Sequence, residues 1–357
     1  MNTCNVTELT LAGGVRAVRI ENDVIATTIL IDKGADIYEL IYKPKGMDVL
    51  WKSPTGLKPT GRGVPTAFAS EAAWLEHYAG GWQEIFPNGG PACFYKGVEL
   101  SFHGEASVVP WEWEVVQQGD AGVKDAAEVR FTVRLFRSPF RMVRTMRVEA
   151  GQPMLILRER ITNEAGEPMD YMWGHHPAYG APFLSSHCHI DIGTRHLQAD
   201  DEYIGTNNPL ALDARYTWPM AGDAGEVDLS QLPDERQSRA MLGYFTDFEA
   251  GWYGITNTEL GFGVGLVWPK AAFPYAWFWQ ELRGSPGFPW YKQAYVMAIE
   301  PFTSVPSQGL LAAMQKGGTH RTLQPGETVE VELRAVFYES TSGITGIGPD
   351  GAVSLKA

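Results

Sequence analysis

The sequence predicts an all-β protein: a large antiparallel β-sandwich with a few short helices, built as a single domain over residues 1–357. Three observations carry this expectation. Short runs rich in β-branched and aromatic residues recur at close spacing along the chain, separated by Gly, Pro and Asn turns. Apolar and polar residues alternate cleanly over residues 126–163, the pattern of a meander with one face on a core. Only two stretches have helical character, and no βαβ alternation is present.

In order, residues 24–31 form a β-branched run, Gly34-Ala35-Asp36 turns the chain into a second strand over 37–42, and Pro44-Lys45-Gly46 turns it again. Residues 70–79 read as a short helix with Ser70 as N-cap and Gly80-Gly81 as its stop. The glycine-rich stretch 80–91 is expected to be irregular and is followed by a strand over 97–102. In the meander, Val129, Phe131 and Val133 alternate with Arg130, Thr132 and Arg134, and strands over 140–149 and 154–163 continue the pattern. Residues 210–238 are polar and poorly periodic, as in a long surface connection. Strands are then expected over 251–257, 261–268, 275–280, 295–300 and 328–338, with a second short helix over 306–317 capped by Ser307.

Composition narrows the function. A net charge of −13 disfavours a nucleic-acid partner, whose phosphates need a basic face, and equally an anionic membrane surface. No run approaches the ~20 apolar residues needed to span a bilayer, and the N-terminal stretch lacks the basic and apolar regions of a signal peptide. Three widely spaced cysteines, Cys4, Cys93 and Cys188, make no disulfide framework. The expectation is a cytoplasmic protein. Twelve tryptophans and fourteen tyrosines supply flat faces that suit sugar rings as well as a core.

The candidate chemistry sits in three places. In 295–300, alternation puts Glu300 with Val296 and Ala298, leaving room beside the carboxylate; Pro301 is expected to end regular pairing there. The alternative is a strand-end carboxylate in solvent. His103 falls on the polar face of its strand with Glu99 and Ser101, and Gly104 beside it permits close approach. His175 and His176 are strand neighbours and so point to opposite faces. Zinc held by one of them with His187 and His189 matches no standard ligand spacing. Two histidines that merely satisfy hydrogen bonds near a turn remain the plain alternative.

Taken in order, Gly34-Ala35-Asp36-Ile37, Ile85-Phe86-Pro87-Asn88-Gly89-Gly90, Phe102-His103-Gly104-Glu105, Ile161-Thr162-Asn163, His176-Pro177-Ala178-Tyr179, Ala298-Ile299-Glu300-Pro301-Phe302-Thr303 and Leu323-Gln324-Pro325-Gly326-Glu327 resemble the aldose 1-epimerase (galactose mutarotase-like) family nearly end to end. The resemblance implies a supersandwich whose concave face holds a carbohydrate. It implies Glu300 as general base, His176 as general acid, His103 as a sugar-orienting residue, and His175 as a non-catalytic neighbour. No metal or organic cofactor is implied, and a monomer or homodimer is expected. The base would take the anomeric proton while the acid protonates the ring oxygen; opening, rotation and closure give the other anomer. Histidine, with an ordinary pKa of about 6.5, needs a carboxylate such as Glu300 to raise it into an acid role. Where the family often has a sugar-binding arginine, this chain offers Gln83 or Glu84 instead, and no equivalent of the family's sugar-binding aspartate is placed. Trp277, Trp279 and Gln280 lie on a stretch that matches a cleft-lining strand, though Gln280 would face away from the two tryptophans. Two other functions use the same residues: a non-catalytic sugar-binding protein, and a glycoside hydrolase or lyase pairing Glu300 with Glu84 or Glu281.

Overall fold

The computed structural model describes residues 4–58, 69–119 and 125–357. Among these, twelve strands form one sheet and eight form a second, and every ladder between them is antiparallel. The meander is the centre of the smaller sheet: Ala126–Arg134, Phe140–Glu149 and Met154–Asn163 pair in succession, and Met154–Asn163 then pairs with Thr328–Glu339. Its alternation buries Phe140, Met142, Met146 and Val148 against the larger sheet, and one apolar cluster joins residues of both sheets. The architecture is the predicted β-sandwich. No helix of the described residues is long and apolar enough to cross a membrane.

The larger sheet positions the candidate site. Its middle strands run in the order Ile37–Tyr42, Trp82–Ile85, Gly174–Gly180, Tyr295–Phe302, Tyr275–Leu282, Arg239–Thr246 and His196–Ala199. Several expectations need correction here. Part of the glycine-rich stretch, Trp82–Ile85, is a strand, buried along its whole length between two neighbours. Buried on both faces, it has no alternation to betray it. Ser70 does not cap its helix. The helix Ser70–Glu76 starts after Ala69 without a side-chain cap, and the Ser70 hydroxyl instead accepts the Phe102 amide at 3.1 Å. Ser307 likewise precedes its helix by several residues; that helix begins at Leu310 after Gly309. Residues 210–238 are not merely a surface connection, since they contain short ladders and bury Leu210, Trp218, Leu229 and Leu232.

Pro301 also does not end its strand. Tyr295–Phe302 continues past it, with Ala276 opposite Pro301. The reason lies in which way the amides point. Ala178 donates to Gly81, so even-numbered amides of Gly174–Gly180 face Trp82–Ile85 and odd-numbered ones face Tyr295–Phe302. Pro177 and Pro301 therefore both lack the amide that would have closed this one ladder. Pairing is present at Gly174↔Phe302 and at Ala178↔Ala298, with no paired residues between them. A proline is tolerated in an interior strand when its missing donor faces a gap in the ladder. The residues facing each other in that gap are His176 and Glu300.

Candidate active site

One row across the larger sheet carries the candidate chemistry. Register places Gln83 opposite His176, Glu300 opposite Trp277, Trp277 opposite Tyr244, and Tyr244 opposite Gln198. His176 falls opposite Glu300 between the flanking paired residues. Directly opposed residues share a face, so this row lines the side of the larger sheet away from the smaller one. A cavity of about 470 Å³ opens over it, within the range usual for small-molecule sites. His103, His176, Glu300, Trp277 and Trp279 all line it.

His176 and Glu300 are both buried, and His176 Nε2 lies 3.7 Å from Glu300 Oε1. Glu300 Oε2 and His176 Nδ1 are buried without hydrogen-bond partners. Burial, with no cation to oppose it, pushes the Glu300 carboxyl well above the usual carboxylate range. Burial also lowers His176 to about 4. This reverses the expectation that Glu300 would raise His176: removing both groups from water outweighs their mutual attraction. Both shifts favour the neutral forms of the pair.

His103 lies in the turn beyond the strand Val98–Leu100, with φ of 55°. Gly104 is required next to it, since a Cβ there would meet the Phe86 carbonyl oxygen at 2.1 Å. The His103 ring accepts the Gly90 amide on Nδ1 at 3.0 Å, while His103 N donates to Gly90 O at 2.9 Å. A neutral ring that accepts on Nδ1 carries its proton on Nε2, so it offers a donor. Burial holds it neutral, and nearby His176 adds to the effect.

The walls are aromatic. Trp279 lies 5.6 Å from the His176 ring and 5.4 Å from Trp290, centroid to centroid. Trp277 stacks on Phe302 and donates its indole N–H to Ser304 O at 2.9 Å. On the opposite wall, Trp74 and Tyr78 stack at 4.7 Å, and Tyr78 meets His176 edge-on at 5.7 Å. Trp74 and Tyr78 were not singled out from the sequence; their i,i+4 spacing at the helix end was the available signal. Asp200 was missed too. Its Oδ1 accepts the Glu202 and Tyr203 amides, and its Oδ2 accepts the Tyr244 and Ser307 hydroxyls and the Gln308 amide at the end of the cleft. Asp200 begins the acidic run Asp200-Asp201-Glu202, and both of its oxygens accept hydrogen bonds from within the protein.

Three nominated residues do not reach the cleft. Gln83 is on the cleft face but fully buried, its amide donating to Gly80 O at 2.7 Å and to Asp36 Oδ2 at 3.3 Å. Gln280 points to the opposite face, toward Met297 Sδ at 3.6 Å. Glu84, one residue from Gln83, also faces the smaller sheet, where it is bound by Arg144 and by the Trp173 indole. His175 faces the same way, with Nε2 3.0 Å from Glu159 and Nδ1 accepting the Trp82 indole N–H at 3.2 Å. Glu84, Glu159 and His175 come close enough to chelate an ion, but Arg144 already contacts both carboxylates from within. Burial alone would raise Glu159, yet His175 and the Arg144 guanidinium hold it at about 2. Glu281 is spent on the Gly284 and Ser285 amides, at 2.7 and 3.0 Å. Neither Glu84 nor Glu281 is free to pair with Glu300 as a hydrolase needs.

Two layers of all-antiparallel sheet with a cleft of this construction are the galactose mutarotase-like fold. Residues 12–336 match the family described as "Domain of unknown function (DUF4432)", and the chain belongs to that family. No curated protein sequence matches it. Among solved structures, it is similar to a Klebsiella pneumoniae protein provisionally called an aldose 1-epimerase, at 18% identity and a TM-score of 0.69, covering 94% of this chain and 84% of that one. It is similar to a galactose mutarotase-like protein from Clostridium acetobutylicum at 16% identity and a TM-score of 0.64, covering 95% of this chain and all of that one. A galactose mutarotase related enzyme from Lactobacillus acidophilus aligns at 15% identity and a TM-score of 0.61, covering 92% and 100%. At these identities the likeness is one of fold.

Proposed function

We propose that this protein is an aldose 1-epimerase, interconverting the anomers of a free aldose or a close derivative in the cleft over His176 and Glu300. The observation that carries the reading is the buried His176–Glu300 pair, 3.7 Å apart, beneath an aromatic vault. Ring opening takes one proton from the anomeric hydroxyl and gives one to the ring oxygen, so a pair of groups holding one proton is the minimum apparatus. Sugar hydroxyls that donate to Glu300 Oε2 stabilise its carboxylate and move the proton to His176. Glu300 is then the base and His176 the acid; C1–C2 rotation and closure run the same transfers backwards. His103 Nε2–H orients the ring by donating to a hydroxyl, and Trp279 covers an apolar ring face. Cys93 and Cys188 are free thiols, which favours a reducing compartment such as the cytoplasm.

The test is anomer exchange followed by NMR on a panel of freshly dissolved α-aldoses. Glu300→Gln and His176→Gln are each expected to lose about 10²–10⁴-fold in rate. If no sugar exchanges faster than in buffer, the epimerase reading fails. Saturable binding of the same sugars without exchange would point instead to a non-catalytic sugar-binding protein.

A further inference from the structure

The acid and base roles fix which way a sugar lies in the cleft. With the anomeric hydroxyl on Glu300 and the ring oxygen on His176, C5 and its substituent extend past His176, because C5 is bonded to the ring oxygen. C2 extends the other way. Past His176 the larger sheet continues with the strand Trp82–Ile85, whose cleft-facing Gln83 is wholly buried. The helix Ser70–Glu76 and the residues just after it stand over that side. The Trp74 indole N–H donates to Ser107 Oγ at 3.0 Å, Ser107 O accepts Lys33, and Lys33 holds Asp36, the carboxylate that Gln83 also reaches. The Trp74 and Tyr78 rings lie 6.4 and 5.7 Å from the His176 ring and line the cavity.

The two ends of the cleft differ in what they offer a hydroxyl. Beyond Glu300, the end where C2 and C3 lie is lined by Asp200, Glu202, Ser307 and Gln308. Beyond His176 the wall is aromatic. The Trp74 indole N–H is already used on Ser107, and the Tyr78 hydroxyl is closed off from solvent. Leu75 and Phe102 add apolar surface. Among the described residues on this wall, the free inward donor is His103 Nε2–H, one group for an edge on which an aldohexose carries two hydroxyls, O4 and O6. Glu71, one turn before Trp74, is exposed at the mouth, where a hydroxyl gains little over its bonds to water. A C6 hydroxyl pressed on this wall loses hydrogen bonds to solvent, whereas a C6 methyl packs on the rings and loses none. We propose that the substrate is a 6-deoxyhexose, with its methyl seated on Trp74 and Tyr78 and its O4 on His103.

This substrate class rests on the epimerase roles of Glu300 and His176, and measuring affinity beside exchange lets the two fail separately. The sugars are matched pairs that differ only at C6: galactose and 6-deoxygalactose, glucose and 6-deoxyglucose, mannose and 6-deoxymannose, in both enantiomeric series. On the wild-type protein, anomer exchange by NMR gives kcat/KM and titration calorimetry gives affinity. In the pair that exchanges fastest, the 6-deoxy sugar is expected to lead by about 10–100-fold in kcat/KM. A hydroxymethyl partner that is equal or faster overturns the proposal. If no sugar exchanges, the epimerase reading fails, and the affinities of the same pairs decide the substrate class. Tighter binding of the 6-deoxy sugars then supports it, and equal, weaker or absent binding overturns it. Trp74→His, which sets a polar ring on the same wall, is expected to shrink the 6-deoxy preference. An unchanged preference in that variant overturns the seat assigned to the methyl. If the variant does not fold, the wild-type ranking decides.

Discussion

His175 and His176 are adjacent in one strand, both buried, and each beside a glutamate, yet their two surroundings are electrostatic opposites. On the side facing the smaller sheet, Arg144 bridges Glu84 and Glu159, and Glu159 stays ionised down to about 2. On the cleft side, burial with no cation to oppose it drives the Glu300 carboxyl well above the usual carboxylate range. A single guanidinium separates the two regimes. Where it is present, the buried Glu159 carboxylate stays charged and helps lock the two sheets together. Where it is missing, burial shifts the Glu300 carboxyl toward holding its proton. The first arrangement suits structure and the second suits proton transfer.

The largest expected effect comes from removing that guanidinium. Arg144→Met leaves Glu84 and Glu159 buried without their counter-charge, and such a loss costs about 3–5 kcal/mol. Urea unfolding should show that fall in stability, or the variant should fail to accumulate in soluble form. Compared with the wild type near pH 4, where the carboxyl is largely protonated in both the folded and the unfolded chain, Glu300→Gln exchanges one neutral buried group for another of nearly the same shape, so its stability there should change by less than about 1 kcal/mol while its catalysis at neutral pH collapses. Equal destabilisation by the two substitutions would break the contrast.

How far this contrast was legible in the sequence depends on the kind of signal each residue left. Alternation alone separates His175 from His176, because neighbours on a strand face opposite ways. The meander was legible for the same reason, and it even carried an unread clue. Arg144 occupies the core-facing series of Phe140, Met142 and Met146, and Glu159 lies between Leu157 and Ile161 on a core face, with the two paired across the ladder. Two opposite charges breaking apolar alternation at partnered positions announce a buried ion pair. Glu84 could not be placed without them, and proximity in sequence to Gln83 suggested a sugar contact that its facing forbids. The row from Gln83 through His176 and Glu300 to Trp277 depends on register between strands far apart in the chain. No local pattern encodes it. The strand Trp82–Ile85 was hidden by its glycine surroundings and by burial on both faces, and Asp200 by an environment built from three separate segments.

The two regimes also predict opposite responses to pH. The folded-state pKa of Glu300 is raised, so the native protein keeps a proton that the unfolded chain has lost. Its contribution to stability therefore declines as pH rises above the ordinary carboxylate pKa of about 4.3. His176 is lowered from 6.5 to about 4, so the unfolded chain takes a proton that the native one refuses, and its contribution rises with pH between those values. In the wild type these slopes oppose each other. Glu300→Gln should expose the rising slope of His176, and His176→Gln the falling slope of Glu300, each at most about 1.4 kcal/mol per pH unit for one proton. Other titrating groups contribute equally to both variants, so the readout is the difference between their denaturation midpoints across that window. Parallel pH profiles would show that the pair does not titrate as described.

The smallest effect sharpens the comparison by using the same residue type on both faces. Trp173 lies against the smaller sheet with its indole N–H on Glu84, and it is fully buried. Trp279 lies in the cleft, partly exposed, between His176 and Trp290. Trp173→Phe removes one donor from a buried carboxylate, which costs about 1–3 kcal/mol of stability, and it should leave sugar affinity untouched because the ring faces away from the cleft. Trp279→Ala should do the reverse. An aromatic contact is worth about 0.5–1.5 kcal/mol, so the sugar that exchanges fastest should bind roughly two- to tenfold more weakly, with unfolding midpoints little changed. Titration calorimetry and urea unfolding on the two variants measure both quantities. Loss of sugar affinity in the Trp173 variant would mean that the two faces of the strand are coupled, and that the proton-sharing pair is tuned from behind as well as by its own burial.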